Sequence, residues 1–345
     1  MTHISAEQGE SAKSAQTQQK AQAPNGNEEP HSRLEHFPNA FFAMVMGLAG
    51  FTLAGERLEK SLGMDHGLSL ILLYFTGVVF AILLAVYLLK AIRYPAAIAW
   101  EWHHPVRMCF FPAASIGLIL MGTAFGPFST QLSFGFWAVG SALHLFGTLA
   151  VLSTWIGHRN FELMHLNPAW FIPVVGNIII PIAGSRLGFH ELSWFFFSAG
   201  LLFWLVLLTL VFNRLIFHNP LPERLLPTLM ILIAPPAIGF ISYVSMTGSV
   251  DAFGRILYNV GIFFFLIILL QVPKLSRIPF AMSWWAYSFP MAALTISTLL
   301  YGAELQSAFH KSAGIVMFAI LVVVIVGLLI RTMVGIAKNQ ICQPE

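Results

Sequence analysis

From Phe37 onward the sequence is a succession of continuous apolar runs separated by short polar connections. Each run is about twenty residues long, which as a helix crosses the roughly 30 Å of hydrocarbon in a bilayer. Ten are present, at 38–55, 68–89, 106–125, 133–156, 169–185, 191–213, 226–248, 255–272, 281–301 and 312–330. Strands of a membrane barrel would alternate apolar and polar residues over about ten positions, and these runs do not alternate. Composition points the same way, since only 10% of the 345 residues are charged and 57% are hydrophobic. A soluble chain carries roughly 25% charged residues, so this one cannot cover a water-facing surface. The expected fold is all-α and integral to the membrane, with ten transmembrane helices.

Residues 1–35 differ: they are rich in Gln, Ala, Ser and Glu, have little to bury, and are expected to be a disordered cytoplasmic tail. They contain no apolar core of a signal peptide, so no cleavage is expected. Residues 36–337 form the expected membrane domain and 338–345 a short cytoplasmic tail. Lys and Arg set the orientation. With the N-terminus in the cytoplasm, ten basic residues of 36–345 fall on that side and five on the other, namely Arg57, Lys60, Arg186, Arg255 and Lys311. Both termini are therefore expected to be cytoplasmic, in the cell's inner (plasma) membrane.

Prolines separate two kinds of helix. The odd-numbered runs hold Pro38, Pro112, Pro173, Pro181, Pro227, Pro235, Pro236 and Pro290, and the even-numbered runs hold none. Proline inside a helix removes a backbone hydrogen bond and kinks the chain. The carbonyl it frees is costly in lipid unless protein or a water-filled cavity satisfies it. The odd helices are therefore expected inside and the even ones against lipid, as five helical hairpins in a quasi-fivefold arrangement about an axis. A bent inner set leaves room for a central path, and a solid bundle whose prolines tune packing also fits.

No Asp, Glu, Lys or Arg falls in the middle of any run. Coupled and voltage-driven machines keep ionisable groups at depth to bind or move the driving charge. His144 is the one titratable group at depth, and a hydrogen-bonded packing histidine is the expectation there. Passive conduction is favoured over coupled transport. Enzyme chemistry finds no footing: His190-Glu191 is not followed by the second histidine of a zinc-protease motif, and the only aspartates, Asp65 and Asp251, lie in connections. Neither a Gly-x-Ser-x-Gly elbow nor a phosphate-cradling loop occurs. His103-His104, and His158 with His165, lack an acid or thiol at ligand spacing, so no metal or other cofactor is expected. Cys109 and Cys342 are far apart in sequence and suggest no disulfide framework.

A neutral path still selects ions. Half-helix N-termini directed at it favour anions, and basic residues at its mouths add attraction while staying hydrated. Residues 36–345 carry 15 basic and 10 acidic groups, a balance compatible with anions that the positive-inside bias also explains. The expected partners are small anions and the lipid bilayer, with no nucleic acid.

The ninth run opens Phe280-Ala281-Met282-Ser283-Trp284-Trp285-Ala286-Tyr287-Ser288-Phe289-Pro290-Met291. On a helix Phe289 shares a face with Trp285, Ala286, Ala292, Ala293 and Ile296. The small Ala292 and Ala293 leave room for its ring, which beside Pro290 either plugs a narrow lumen or fills a core. Residues 283–291 resemble the ninth helix of the tellurite-resistance/C4-dicarboxylate transporter family, which includes bacterial TehA and the slow-type anion channels of plant guard cells. Further stretches agree: Phe37-Pro38 with Gly47, His104-Pro105 leading to Phe111-Pro112, Pro173-Val174-Val175-Gly176-Asn177, and Ala234-Pro235-Pro236. The resemblance covers residues 37–331 with all ten runs in register.

It implies a homotrimer in which each subunit has its own pore, lined by the five odd helices and closed by a phenylalanine of the ninth. Carried over by motif, the gate is Phe289, the kinks are Pro112, Pro173, Pro235 and Pro290, and Gly47 and Gly176 are close-approach points on the pore wall. The function implied is a passive channel for small anions such as chloride or nitrate. The alternative is a transporter that exports malate and other C4-dicarboxylates, sulfite or tellurium species. A non-conducting scaffold that binds a partner through its tail is a third reading.

Overall fold

The computed structural model describes residues 32–157 and 161–342. Most of the tail expected to be disordered, together with His158 and residues 343–345, lies outside them. Among the described residues the structure is helical throughout, without a strand. Helix α1 (Phe42–Leu62) is entered through a 3-10 turn at Asn39–Phe41. It runs on past the expected end at residue 55, and Gly63 stops it with a left-handed φ of 68°, which glycine adopts freely. Buried Glu59 near that end accepts hydrogen bonds from the amides of Leu68 and Ser69 at 2.5 and 3.2 Å. It thereby caps the unpaired N–H groups that open α2 (Gly67–Arg93).

The chain continues through α3 (Pro95–His103), α4 (Phe111–Phe125) and α5 (Thr130–Gly157). The fifth run is divided into α6 (Phe171–Val175) and α7 (Ile180–Arg186) by a 3-10 turn at Gly176–Ile179. Helices α8 (His190–Phe217), α9 (Ala234–Thr247) and α10 (Ala252–Leu269) follow. A short α11 (Val272–Leu275) precedes α12 (Ser288–Glu304) and α13 (Ala308–Ala337). Nine segments among the described residues are long and apolar enough to cross a membrane. The run expected at 281–301 falls short of that measure: its 3-10 turn, Met282–Tyr287, joined to α12 is long enough, as in the other buried segments, but the joined stretch is less apolar. Ser288, Thr295, Ser297 and Thr298 dilute its apolar character. The molecule is a multi-pass helical membrane protein.

Burial follows the prolines. In Asn39–Leu62, Arg107–Phe125, Pro168–Arg186 and Glu223–Thr247 the most apolar stretch is 78%, 72%, 94% and 83% buried inside the protein. In Gly67–Arg93, Thr130–Gly157, His190–Phe217, Ala252–Leu269 and Ala308–Ala337 the share is 22%, 33%, 33%, 33% and 28%. Helix α12 belongs with the first group, since only Ile296, Ala303 and Glu304 escape full burial.

The prolines do not bend continuous α-helices, as the sequence had suggested. Buried segments open as 3-10 helix and become α just before a proline: Arg107–Phe110 ahead of Pro112, Gly176–Ile179 ahead of Pro181, Glu223–Ile233 ahead of Pro235, and Met282–Tyr287 ahead of Pro290. Proline cannot donate to the carbonyl four residues back. In three of these segments the residue before the proline donates to that carbonyl instead. Phe111 N–H bonds Met108, Ile180 bonds Asn177, and Ala234 bonds Ile231. Each proline then sits in the first turn of an α-helix, where a missing N–H costs little. Other exposed carbonyls of the broken fifth segment take side-chain donors. Thr148 Oγ1 donates to Pro173 O at 2.6 Å, Trp137 Nε1 to Ile180 O at 2.9 Å, and Ser242 Oγ to Ile178 O.

Each buried segment packs against the exposed helix that follows it: α1 on α2, α4 on α5, α6 and α7 on α8, α9 on α10, and α12 on α13. Buried segments also touch one another in the order α1, α4, α7, α9, α12, and α12 touches α1. Lipid tails are as apolar as leucine, so close approach rather than hydrophobic transfer holds such pairs. At the α4–α5 contact, a Cβ on Gly122 would lie 2.8 Å from Trp137 N, and one on Gly140 2.9 Å from Ile119 N.

Candidate functional site

Two cavities penetrate between the buried segments from opposite ends. The larger, about 790 Å³, starts among residues of the two terminal segments, including Pro38, Asn39 and Ile341. The smaller, about 280 Å³, starts beside Glu56, Arg57, Lys60 and Arg186. Along α1 the lining passes from Ala43 and Met46 in the larger to Gly50, Leu53 and Arg57 in the smaller. Along α9 it passes from Pro235 to Ile241 and Ser245, and in the fifth segment from Gly176 and Ile179 to Ile182. The cavities therefore lie end to end along the helices. Two side chains border both: Phe289 and Ile238.

Phe289 is the second residue of α12 and is 8% exposed. Its ring lies beside Gly50, where an added Cβ would come within 3.1 Å of Cδ2 and 3.0 Å of the Ala292 methyl. One turn earlier, fully buried Trp285 donates from Nε1 to Thr332 Oγ1 at 3.0 Å, which ties the start of α12 to α13. Ser288 Oγ donates to Trp285 O at 2.5 Å and faces Gly47, where a Cβ would fall 2.0 Å from that oxygen. A glycine on α1 thus sets how closely the backbone carrying Phe289 can approach.

The other residues singled out from sequence divide. Gly176, Pro235 and Pro290 line the larger cavity. Gly47, Pro112 and Pro173 line neither, because their contacts are between helices: Gly47 with Ser288, Pro112 with Gly147 of α5, and Pro173 O with Thr148. His144 points inward from an outer helix and is fully buried. Its Nδ1 lies 3.0 Å from Ser115 Oγ, and its ring fills the space a Cβ on Gly176 would take. The histidines weighed as metal ligands bond to backbone: His103 Nδ1 lies 2.7 Å from Ala99 O, His104 Nδ1 accepts from Val106 N, and His165 Nδ1 accepts from Glu162 N.

Charge is confined to the ends of the cavities. The smaller is bordered by Arg57, Lys60 and Arg186 against Glu56, the larger by Arg107 and Arg224 against Glu223. Arg186 is fixed by bonds from Nε to Ile182 O and from Nη2 to Thr123 O, both 3.2 Å. Near the larger cavity stands a buried cluster that sequence reading missed. Lys90 and Glu101, each 1% exposed, pair at 3.0 Å. Lys90 Nζ also donates to Phe37 O at 2.8 Å, Tyr87 donates to Glu101 Oε2 at 2.8 Å, and Arg107 reaches Oε1 at 3.4 Å. Ile238 was missed as well, although it follows the double proline the sequence had flagged.

The family model described as voltage-dependent anion channel matches residues 36–333. An uncharacterised transporter of Methanocaldococcus jannaschii is 30% identical over 78% of this chain and 86% of its own. The S-type anion channel SLAH3 of Arabidopsis thaliana is 27% identical over 95% of this chain, which spans 52% of that channel's length. The tellurite resistance protein TehA homolog of Haemophilus influenzae is 27% identical over 88% of this chain and 92% of its own. The first two of these relatives are named as a transporter and an anion channel, the third for tellurite resistance, and none as an enzyme. With the helical fold, the end-to-end cavities and the matched length all in agreement, the chain belongs to the voltage-dependent anion channel family, the SLAC1 and TehA group of anion channels and transporters.

Proposed function

We propose that the chain is a passive channel for small anions such as chloride and nitrate, closed at rest by the ring of Phe289. The observation that carries this reading is that Phe289 borders both cavities, so its ring stands where they would join. In this reading the ten helical segments form five hairpins in a quasi-fivefold ring, with α12 as the ninth span. Support comes from the packing order of the buried segments, which closes on itself. The chain sits in the plasma membrane with both termini facing the cytoplasm, an orientation supported by the Lys and Arg bias. The homotrimer is carried over from the resemblance, each subunit conducting through its own pore.

Selection for anions follows from the mouths. Three basic groups against one acidic at the smaller, and two against one at the larger, raise local anion concentration at the cost of little desolvation. Between the mouths the walls are mostly aliphatic and aromatic, which leaves no carboxylate to carry a coupling proton. A ring that fills a narrow apolar passage blocks it sterically and by excluding water. Chloride efflux from proteoliposomes is the test. Phe289→Ala is expected to raise the rate about tenfold or more, whereas an efflux equal to that of the wild type would overturn the gate.

A further inference from the structure

Phe289 does not close a passage by itself; something must stand opposite. We infer that Ile238 is the fixed side of the constriction and sets the size of anion that passes once Phe289 moves. This inference rests on the reading of Phe289 as a gate.

Ile238 is the only side chain besides Phe289 that borders both cavities among the residues lining them. Helices α9 and α12, which carry the two, pack directly on one another. Both residues lie within the first two turns after a 3-10-to-α junction, Phe289 beside Pro290 and Ile238 beyond Pro235-Pro236. The neighbours of Ile238 fix its direction. Ala237 meets Gly261 of α10, where an added Cβ would lie 3.5 Å from Ala237 N, and Gly239 faces Leu257 of the same helix at 3.6 Å. Residues 237 and 239 flank position 238 by about 100° each way on a helix of 3.6 residues per turn. With both turned to α10, Ile238 is aimed away from it, into the cavities.

The two side chains suit different parts. A β-branched residue in a helix is confined to one strongly preferred χ1 rotamer. Ile238 therefore offers a stationary surface. Both side chains have open volume on either side, but an aromatic residue in a helix has two accessible χ1 rotamers, so the ring of Phe289 is the part that swings. The Ile238 side chain, out to its terminal Cδ1, then fixes the clearance left when the ring withdraws, so it governs discrimination by size more than the rate for the smallest ions.

The test uses the full chain in proteoliposomes, with efflux of chloride and of the bulkier gluconate measured separately. Ile238→Val shortens the side chain by one methylene with little risk to the fold, and Ile238→Ala widens the passage further. In the Phe289→Ala background, Ile238→Val is expected to raise gluconate efflux about threefold and chloride efflux by less than half that factor. Phe289→Ala with Ile238→Phe is expected to bring chloride efflux back to within about threefold of the wild type, since a ring again fills the passage. If Phe289→Ala opens the channel but no change at Ile238 alters the gluconate-to-chloride ratio, the inference about Ile238 falls and the gate stands. If Phe289→Ala leaves efflux unchanged, the gate falls and the inference with it.

Discussion

Gly47 earns its place through Ser288 rather than through any cavity. A methyl group there would overlap the Ser288 hydroxyl at 2.0 Å, and Ser288 precedes Phe289. Overpacking of a rigid contact costs roughly 1–3 kcal/mol, so Gly47→Ala is expected to lower the melting temperature in detergent. Gly47→Ala with Ser288→Gly should recover most of the loss. A single variant as stable as the wild type would show that α1 and α12 slide apart freely. Gly47 and Phe289 were reached through the family resemblance, which carried them over by motif; spacing alone left Phe289 as either a plug or a core ring. Ile238 was legible by neither route. An isoleucine on a buried helix looks like any other until the packing of Ala237 and Gly239 on α10 fixes which way it faces, and that is a contact between segments. Gly47 was expected on the pore wall, and Pro112 and Pro173 as kinks, yet all three make contacts between helices and border neither cavity: a sequence shows that a residue is buried, not against what.

At the level of elements, the 3-10 openings are how this chain keeps prolines inside a membrane without orphaned carbonyls. Proline parity foretold which segments are buried, and the burial shares follow it closely. The local geometry was misjudged, because the i→i−3 bond that rescues the carbonyl depends on a whole turn tightening. Lys90 is one of the basic residues counted toward orientation, and it is buried against Glu101 and the Phe37 carbonyl. That cluster joins α2, α3 and the entry to α1. Breaking a buried pair costs about 3–5 kcal/mol; Lys90→Met should fall at the lower end, since Arg107 still reaches Glu101. Lys90→Met with Glu101→Gln should be more stable than Lys90→Met alone in denaturant titration. A double variant no better than the single would mean that Lys90 serves by packing its stem.

A helix start outside the bilayer gives a pH test. Asp251 caps α10, accepting from Gly254 N–H at 3.0 Å and from the Tyr243 hydroxyl at 2.6 Å. The Gly254 bond first, and the Tyr243 bond second, hold its carboxyl below the usual aspartate range. A depressed folded value means that the cap stabilises fully above the unfolded pKa of about 3.9 and fades as pH falls through the lower folded value. The difference in melting temperature between wild type and Asp251→Ala should therefore be constant near neutrality and shrink below about pH 3.9. A difference that persists undiminished into strong acid would assign the cap to geometry alone.

Across the molecule as a whole, two cavities with weakly basic mouths lie end to end, and one ring and one branched side chain border both. In the proposed reading the free-energy source is the anion's own gradient. The most direct measurement is the current–voltage relation of Phe289→Ala in a planar bilayer under a chloride gradient, repeated with a pH difference across it. A conduit sealed by Phe289 predicts currents at least about ten times those of the wild type, reversing near the chloride equilibrium potential whatever the pH difference. Currents no larger than wild type, or a reversal potential that follows the proton gradient, would contradict it.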